Sequence, residues 1–136
     1  MTVLSIGVGG TGVVSAGAAA PATPVAVDVG DTAGTKGAMT MTVTPSSAPA
    51  GKVTFTVSNS GTVIHEFVIL KTKVRFDKIP VTKNRISEAK SVGEIGNIGK
   101  GKTKSKTFKL KAGKYVLVCN IAKHYQLGMR APFTVT

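Results

Sequence analysis

From Ala38 onward, apolar and polar residues alternate in short runs. AMTMTVTP places Met39, Met41 and Val43 on one face and threonines on the other. KVTFTVSNSG repeats the pattern with Val53, Phe55 and Val57, then breaks in a turn cluster at Ser58 to Gly61. VIHEFVILK aligns His65, Phe67 and Ile69. TKSKTFKLKAGKYVLVC supplies two strands joined at Ala112-Gly113. Phe108 and Leu110 share a face of the first; Tyr115, Leu117 and Cys119 share a face of the second. APFTVT closes the chain as a last strand. Period-two alternation bounded by glycine and polar breaks marks half-buried strands. Residues 76–91 are less regular: NRISEAKS reads as a short helix capped by Asn84, and VGEIGNI as a return to strand. The expectation is an all-β domain of about seven to eight strands, a β-sandwich or Greek-key barrel with at most one short helix. Met39 and Met41, alternating with threonines, read as core fillers.

The first thirty-six residues break this pattern. Residues 3–20 are apolar or small, and AGAAA before Pro21 suits cleavage, so a secretory leader is expected although Met1 and Thr2 bring no basic residue. As an uncleaved anchor the segment is short and rich in glycine. GVGGTG at Gly7 to Gly12 imitates a dinucleotide-binding fingerprint, with Asp28 downstream. Pro21 and Pro24 stop any helix after it, and no alternating strands and helices follow. Residues 21–36 carry Pro, Ala, Thr and Gly and read as a loose linker. The expected organisation is leader and flexible linker over 1–36, and one domain over 37–136.

The chain has 136 residues, one cysteine and no tryptophan. A lone cysteine excludes an internal disulfide; in an exported protein a free thiol is a liability unless it has another task. The net charge is +12, with most basic residues between Lys71 and Lys114. That favours anionic partners or a solvated lysine surface. Nucleic acid is not expected, because the basic stretch has few aromatics for stacking and no reader motif.

The cysteine has unusual company. In CNIAKHYQLGM, Cys119, His124 and Met129 stand five residues apart. Thiolate and thioether sulfur suit copper(I), imidazole suits copper in both oxidation states, and zinc or calcium has little use for a thioether. Two histidines, one thiolate and a distant methionine describe a type 1 copper centre. Three of these groups lie in the loop between two strands, and His65 is the chain's only other histidine. The neighbours Ile121, Leu127 and Pro132 are expected to keep water out.

Through SNSGTVIHEF and GKYVLVCNIAKHYQLGM the sequence resembles the cupredoxins, the blue copper family of plastocyanin and azurin, over roughly residues 38–136. The resemblance implies a cupredoxin-like Greek-key sandwich holding one copper ion. His65, Cys119 and His124 would be its equatorial ligands and Met129 its axial one. It also implies that Asn59 ties the ligand loops together. Many relatives place Pro-Gly before the second histidine, where this chain has Ala122-Lys123.

Both histidines are then used, so none remains for a second, catalytic copper, and no acid–base pair accompanies the site. An enzyme is not expected; one-electron transfer is. The resemblance implies an exit through the edge of His124 in an apolar patch of Ala122, Leu127 and Pro132, rimmed by Lys123 and Arg130. Expected partners are redox proteins with acidic docking surfaces, met by a monomer in the periplasm or at the cell surface. Membrane association is expected only through the N-terminal segment. The alternative is a periplasmic copper carrier or buffer without electron transfer. A third reading is a metal-free sandwich using its basic face for adhesion.

Overall fold

The computed structural model describes residue 12, residues 20–34 and residues 36–136. The leader, the anchor alternative and, apart from Gly12, the glycine fingerprint lie outside the described residues. Among the described residues eleven strands follow in order: β1 Thr23–Asp31, β2 Met39–Thr44, β3 Ser47–Ala48, β4 Gly51–Asn59, β5 His65–Lys71, β6 Val81–Thr82, β7 Arg85–Ile86, β8 Ser91–Ile98, β9 Thr103–Leu110, β10 Gly113–Val118 and β11 Arg130–Val135. One sheet has the order β2-β1-β4-β9 and the other β3-β11-β10-β5-β8; β6 and β7 form a separate ribbon.

Alternation explains the sandwich. Val53, Phe55 and Val57 of β4 face Phe67 and Ile69 of β5, Leu117 of β10 and Phe133 of β11 in one buried cluster. Phe55 is its hub, with ring centroids 5.0 Å from Phe67 and 5.3 Å from Phe133. Met39 and Met41 join the same cluster. On the outer face of β4, Thr54 and Thr56 bond the hydroxyls of Thr107 and Ser105 on β9, at 2.7 and 2.8 Å, a cross-strand polar ladder facing solvent. The five-stranded sheet is covered on its outer side too. There Val68, Leu70, Val116 and Val118 pack with Ile86 and Tyr125, beneath Phe76, Ile79 and Val81.

Two expectations need correction. Residues 23–31, read as linker, form β1, antiparallel to β2 and parallel to β4. Val25, Val27 and Val29 are buried in the core, so period-two burial outweighs the flexible composition. The short helix at Asn84 is absent among the described residues. Lys83 and Asn84 have φ of 50° and 65°, a left-handed pair that makes a tight hairpin turn and cannot begin a helix. In addition β9 and β10, adjacent in sequence, do not pair. β9 bonds β4 and β10 bonds β5 and β11, so the Ala112-Gly113 link crosses from one sheet to the other.

Candidate metal centre

β5 begins at His65, and Cys119 directly follows β10, its antiparallel neighbour in the sheet. The two ligand candidates therefore meet at one end of the sandwich, and the loop after Cys119 folds His124 over them. The Nδ1 atoms of His65 and His124 lie 3.2 Å apart, and Cys119 Sγ lies 3.3 Å from His124 Nδ1. All three donor atoms fall within 4.8 Å of one another and all three residues are buried. Met129 is fully buried as well. Its amide donates to the His124 carbonyl and its carbonyl accepts from the Cys119 amide, both at 3.1 Å. The backbone thus brings the thioether residue between two of the other three.

A residue from the supposed linker orients the centre. His65 Nε2 stands 3.0 Å from Asp31 Oδ2, with both side chains inaccessible to solvent. An ionised carboxylate only accepts, so Nε2 carries a hydrogen toward Asp31, and Nδ1 is the ring atom turned toward His124. Burial opposes the Asp31 charge. Hydrogen bonds from the Thr62 hydroxyl, the His65 ring and the amides of Thr62 and Val63 outweigh it and hold the carboxyl far below the usual range. Gly61 makes room: a Cβ there would land on the Asp31 carboxylate. His124 is held down to about 4, chiefly by burial and then by electrostatic repulsion from the adjacent His65 imidazole, so it is neutral at neutral pH. Burial pushes the Cys119 thiol up to about 11, against the hydrogen bonds from the Glu66 and Ile121 amides.

Two imidazole nitrogens and one sulfur, dry and converging, fit copper, which takes imidazole in either oxidation state and prizes thiolate as copper(I). The metal-free thiol is protonated and His124 is not. Loading with copper(II) in mildly alkaline buffer is therefore expected to release about one proton, from Cys119. Apparent affinity should rise about tenfold per pH unit below the thiol's value. Titration in weakly buffered solution with a pH indicator checks this; uptake without proton release would show that Cys119 stays protonated.

Comparison with known proteins follows the geometry. The family of copper-binding proteins that contains plastocyanin and azurin matches residues 28–136. This chain belongs to that family. Comparison with curated protein sequences finds no match. Among solved structures the fold is similar to reduced auracyanin from Roseiflexus castenholzii, with 21% identity over 87% of this chain and 99% of that one, at a TM-score of 0.60. It is similar to rusticyanin from Thiobacillus ferrooxidans, with 21% identity over 85% and 79%, at a TM-score of 0.63. It is also similar to auracyanin A, a "blue" copper protein from Chloroflexus aurantiacus, with 20% identity over 83% and 99%, at a TM-score of 0.53.

The departure from the plastocyanin and azurin pattern at Ala122-Lys123 has a physical meaning. The His124 amide donates to the Ile121 carbonyl at 2.9 Å, closing a four-residue turn. Lys123, its third residue, has φ of 72°. A type II turn wants proline at its second position and glycine at its third, so Pro-Gly in relatives meets the demand that Ala122-Lys123 meets under strain. Lys123→Gly is expected to raise stability by about 1 kcal/mol, since left-handed backbone costs a side-chain-bearing residue about that much. The urea midpoint of the metal-free protein checks it; a lowered midpoint would mean that the lysine side chain stabilises the loop. Gly128 is the opposite case. Its φ is 115°, and a Cβ would sit 2.6 Å from the Met39 carbonyl oxygen.

The region misread as helix braces this loop. The Lys123 amide donates to the Asn84 carbonyl at 2.8 Å. The Arg85 guanidinium donates to the Asn120 carbonyl at 2.8 Å. The Asn120 side chain accepts from the Ile86 amide at 2.9 Å and donates to its carbonyl at 3.1 Å. The Tyr125 hydroxyl donates to the Phe76 carbonyl and accepts from the Ile79 amide. Asn120 and Tyr125 lie within the stretch GKYVLVCNIAKHYQLGM that carries the resemblance; Asn84, Arg85 and Ile86 gave no sign of bracing it. Asn59 donates to the carbonyls of Val63 and Ile98, both at 2.8 Å, so it anchors the approach to His65 and leaves the second ligand loop to Asn120. Ile121 and Leu127 pack against the core as expected. Pro132 does not belong to the site: it lines a hollow on the outer face with Thr72, Phe76 and Lys114. Ile64, 47% exposed, directly precedes His65 in the chain.

Proposed function

We propose that the protein is a type 1 copper electron carrier in which His65, Cys119 and His124 would hold the metal and Met129 would add a weaker fourth donor. The observation that carries this is the buried convergence of two Nδ1 atoms and one Sγ within 4.8 Å. Copper supplies the one-electron chemistry by cycling between its two oxidation states. The protein's part is to hold donors in place through that cycle. Asp31 fixes the His65 ring, the Glu66 amide donates to Cys119 Sγ at 3.3 Å, and the loop backbone ties Cys119, His124 and Met129 together. A frame braced in this way resists rearrangement as the charge changes, which favours rapid transfer.

The electron leaves by the metal end, where exposed Ile64 directly precedes His65 and exposed Ala122 lies two residues before His124. Redox proteins met there form small, transient contacts. The chain's two histidines both serve this one centre, which favours a carrier over an enzyme with a second, catalytic copper. The chain is exported, acting as a monomer in the periplasm or at the cell surface. Lys123 and Arg130 are the cations nearest His124 in sequence, and an acidic partner is the one they would steer.

Voltammetry of the copper-loaded protein tests this reading. A reversible one-electron wave, with colour lost on reduction and regained on oxidation, supports the carrier. A colourless protein that takes copper(I) alone supports the buffer.

A further inference from the structure

The sandwich carries its charge unevenly. His65 opens β5 at the metal end and Lys71 closes it at the other, about 20 Å away at the usual strand rise. That far end gathers Lys71, Lys73, Lys90, Lys109, Lys111 and Lys114, all exposed. Backbone bonds hold the segments together: the Lys71 amide donates to the Lys90 carbonyl at 3.0 Å, and the Thr72 amide to the Lys114 carbonyl at 3.1 Å. Lys71, Lys73, Lys90 and Lys114 line an open hollow of about 510 Å³. Lys71, Lys109 and Lys111 line a second of about 320 Å³. Neither hollow has an acidic lining residue. Among the described residues the ion pairs are His65 with Asp31 and Arg75 with Asp77, so no lysine is paired.

Apolar side chains accompany the charge. Val74 and Val92 are 45% and 48% exposed; Val92 lines the second hollow, and Val74 a neighbouring one with Lys73 and Lys114. The chain also enters here. Thr23 opens β1 opposite Val53, near the start of β4, where Gly51 faces Leu110 of β9. The apolar residues 3–20 therefore precede a strand that begins at the lysine-rich end.

We propose that this end docks on anionic phospholipid headgroups, so that the metal end points away from the lipid. Clustered lysines unpaired by carboxylates match a negative surface, and exposed valines among them suit the boundary between headgroups and acyl chains. An acidic protein is the weaker match. A redox partner docked here would stand about 20 Å from the ligands, at the wrong end for exchange, whereas a lipid surface leaves the metal end open. That choice of lipid over protein rests on the electron-carrier reading; the charge distribution does not.

The test uses the full metal-free chain, so failure of the copper reading leaves its outcome intact. Co-sedimentation is measured with vesicles of phosphatidylcholine alone and with phosphatidylglycerol mixed in, at low and high salt. Binding to the anionic vesicles alone, weakened by salt, is expected. The triple variant Lys73→Gln, Lys90→Gln, Lys114→Gln should lose about a hundredfold in partition, about fivefold for each charge. Lys100→Gln, Lys102→Gln, Lys104→Gln removes equal charge elsewhere and should retain most of the binding. Equal losses in both triples would reduce the effect to net charge and overturn the proposal. Equal binding to neutral vesicles, or no binding, would overturn it as well. So would retention by an immobilised acidic protein, through the same lysines, of a chain that ignores the vesicles.

Discussion

Cys119→Ser is expected to abolish the intense visible absorption of the copper(II)-loaded protein while leaving the sandwich folded. Cys119 is the chain's only cysteine and sits fully buried in the core cluster, accepting from the Glu66 amide at 3.3 Å. A serine hydroxyl keeps that acceptor in a slightly smaller volume, so the metal-free fold should lose no more than about 1 to 2 kcal/mol. It cannot supply a soft anionic sulfur. Copper affinity should fall by more than about a hundredfold, the upper range for losing merely an outer partner of a ligand. Absorption spectra and urea melts of the two proteins check both halves. A serine variant that stays blue would remove Cys119 from the site. One that fails to fold would leave the core packing role and the metal role joined, and His124→Gln would then be the variant to read.

Asp31→Asn is expected to raise the reduction potential and Asp31→Ala to destabilise the whole domain. The carboxylate takes donors from His65 Nε2 at 3.0 Å, the amides of Thr62, Val63 and Gly34 at 2.7, 3.3 and 3.0 Å, and the Thr62 hydroxyl. Truncation to alanine leaves the buried His65 Nε2 without its acceptor and unties the Gly34, Thr62 and Val63 segments around it, at a cost of about 2 kcal/mol or more. Asparagine keeps the shape and removes the negative charge beside His65. The imidazole then donates less strongly and the lower metal charge is favoured. At fixed poise the ratio of copper(I) to copper(II) should rise at least tenfold, which for a one-electron couple is about 59 mV. The readout is the potential of a variant that remains blue. An unchanged potential with intact colour would confine Asp31 to a structural role.

The parts of the fold legible in the sequence are those where one strand face is core and the other is water. β4 and β11 announce themselves by alternation. β5 is covered on both sides, so its second half, FVIL, reads as a continuous apolar run, and its inner face was legible only by spacing Phe67 and Ile69 from His65. β1 carries the same signal in Val25, Val27 and Val29, but Pro24, Gly30 and the neighbouring glycines mask it. The ribbon of β6 and β7 depends on left-handed backbone at Lys83 and Asn84; asparagine accepts that conformation as readily as it caps a helix. The donor set was legible because the chain holds so few residues that could serve: two histidines and one cysteine. Asp31 was not legible. Its contact with His65 spans 34 residues and depends on β1 lying beside β4, which no local pattern encodes.

Diffraction from crystals of the copper-loaded protein, with anomalous data collected at the copper edge, tests the central claim most directly. The account predicts one strong peak, enclosed by His65 Nδ1, His124 Nδ1 and Cys119 Sγ, with the Met129 sulfur on the remaining side at a longer distance. A peak on the lysine-rich surface or at the chain's N-terminus, with these side chains still packed only on one another, would contradict it.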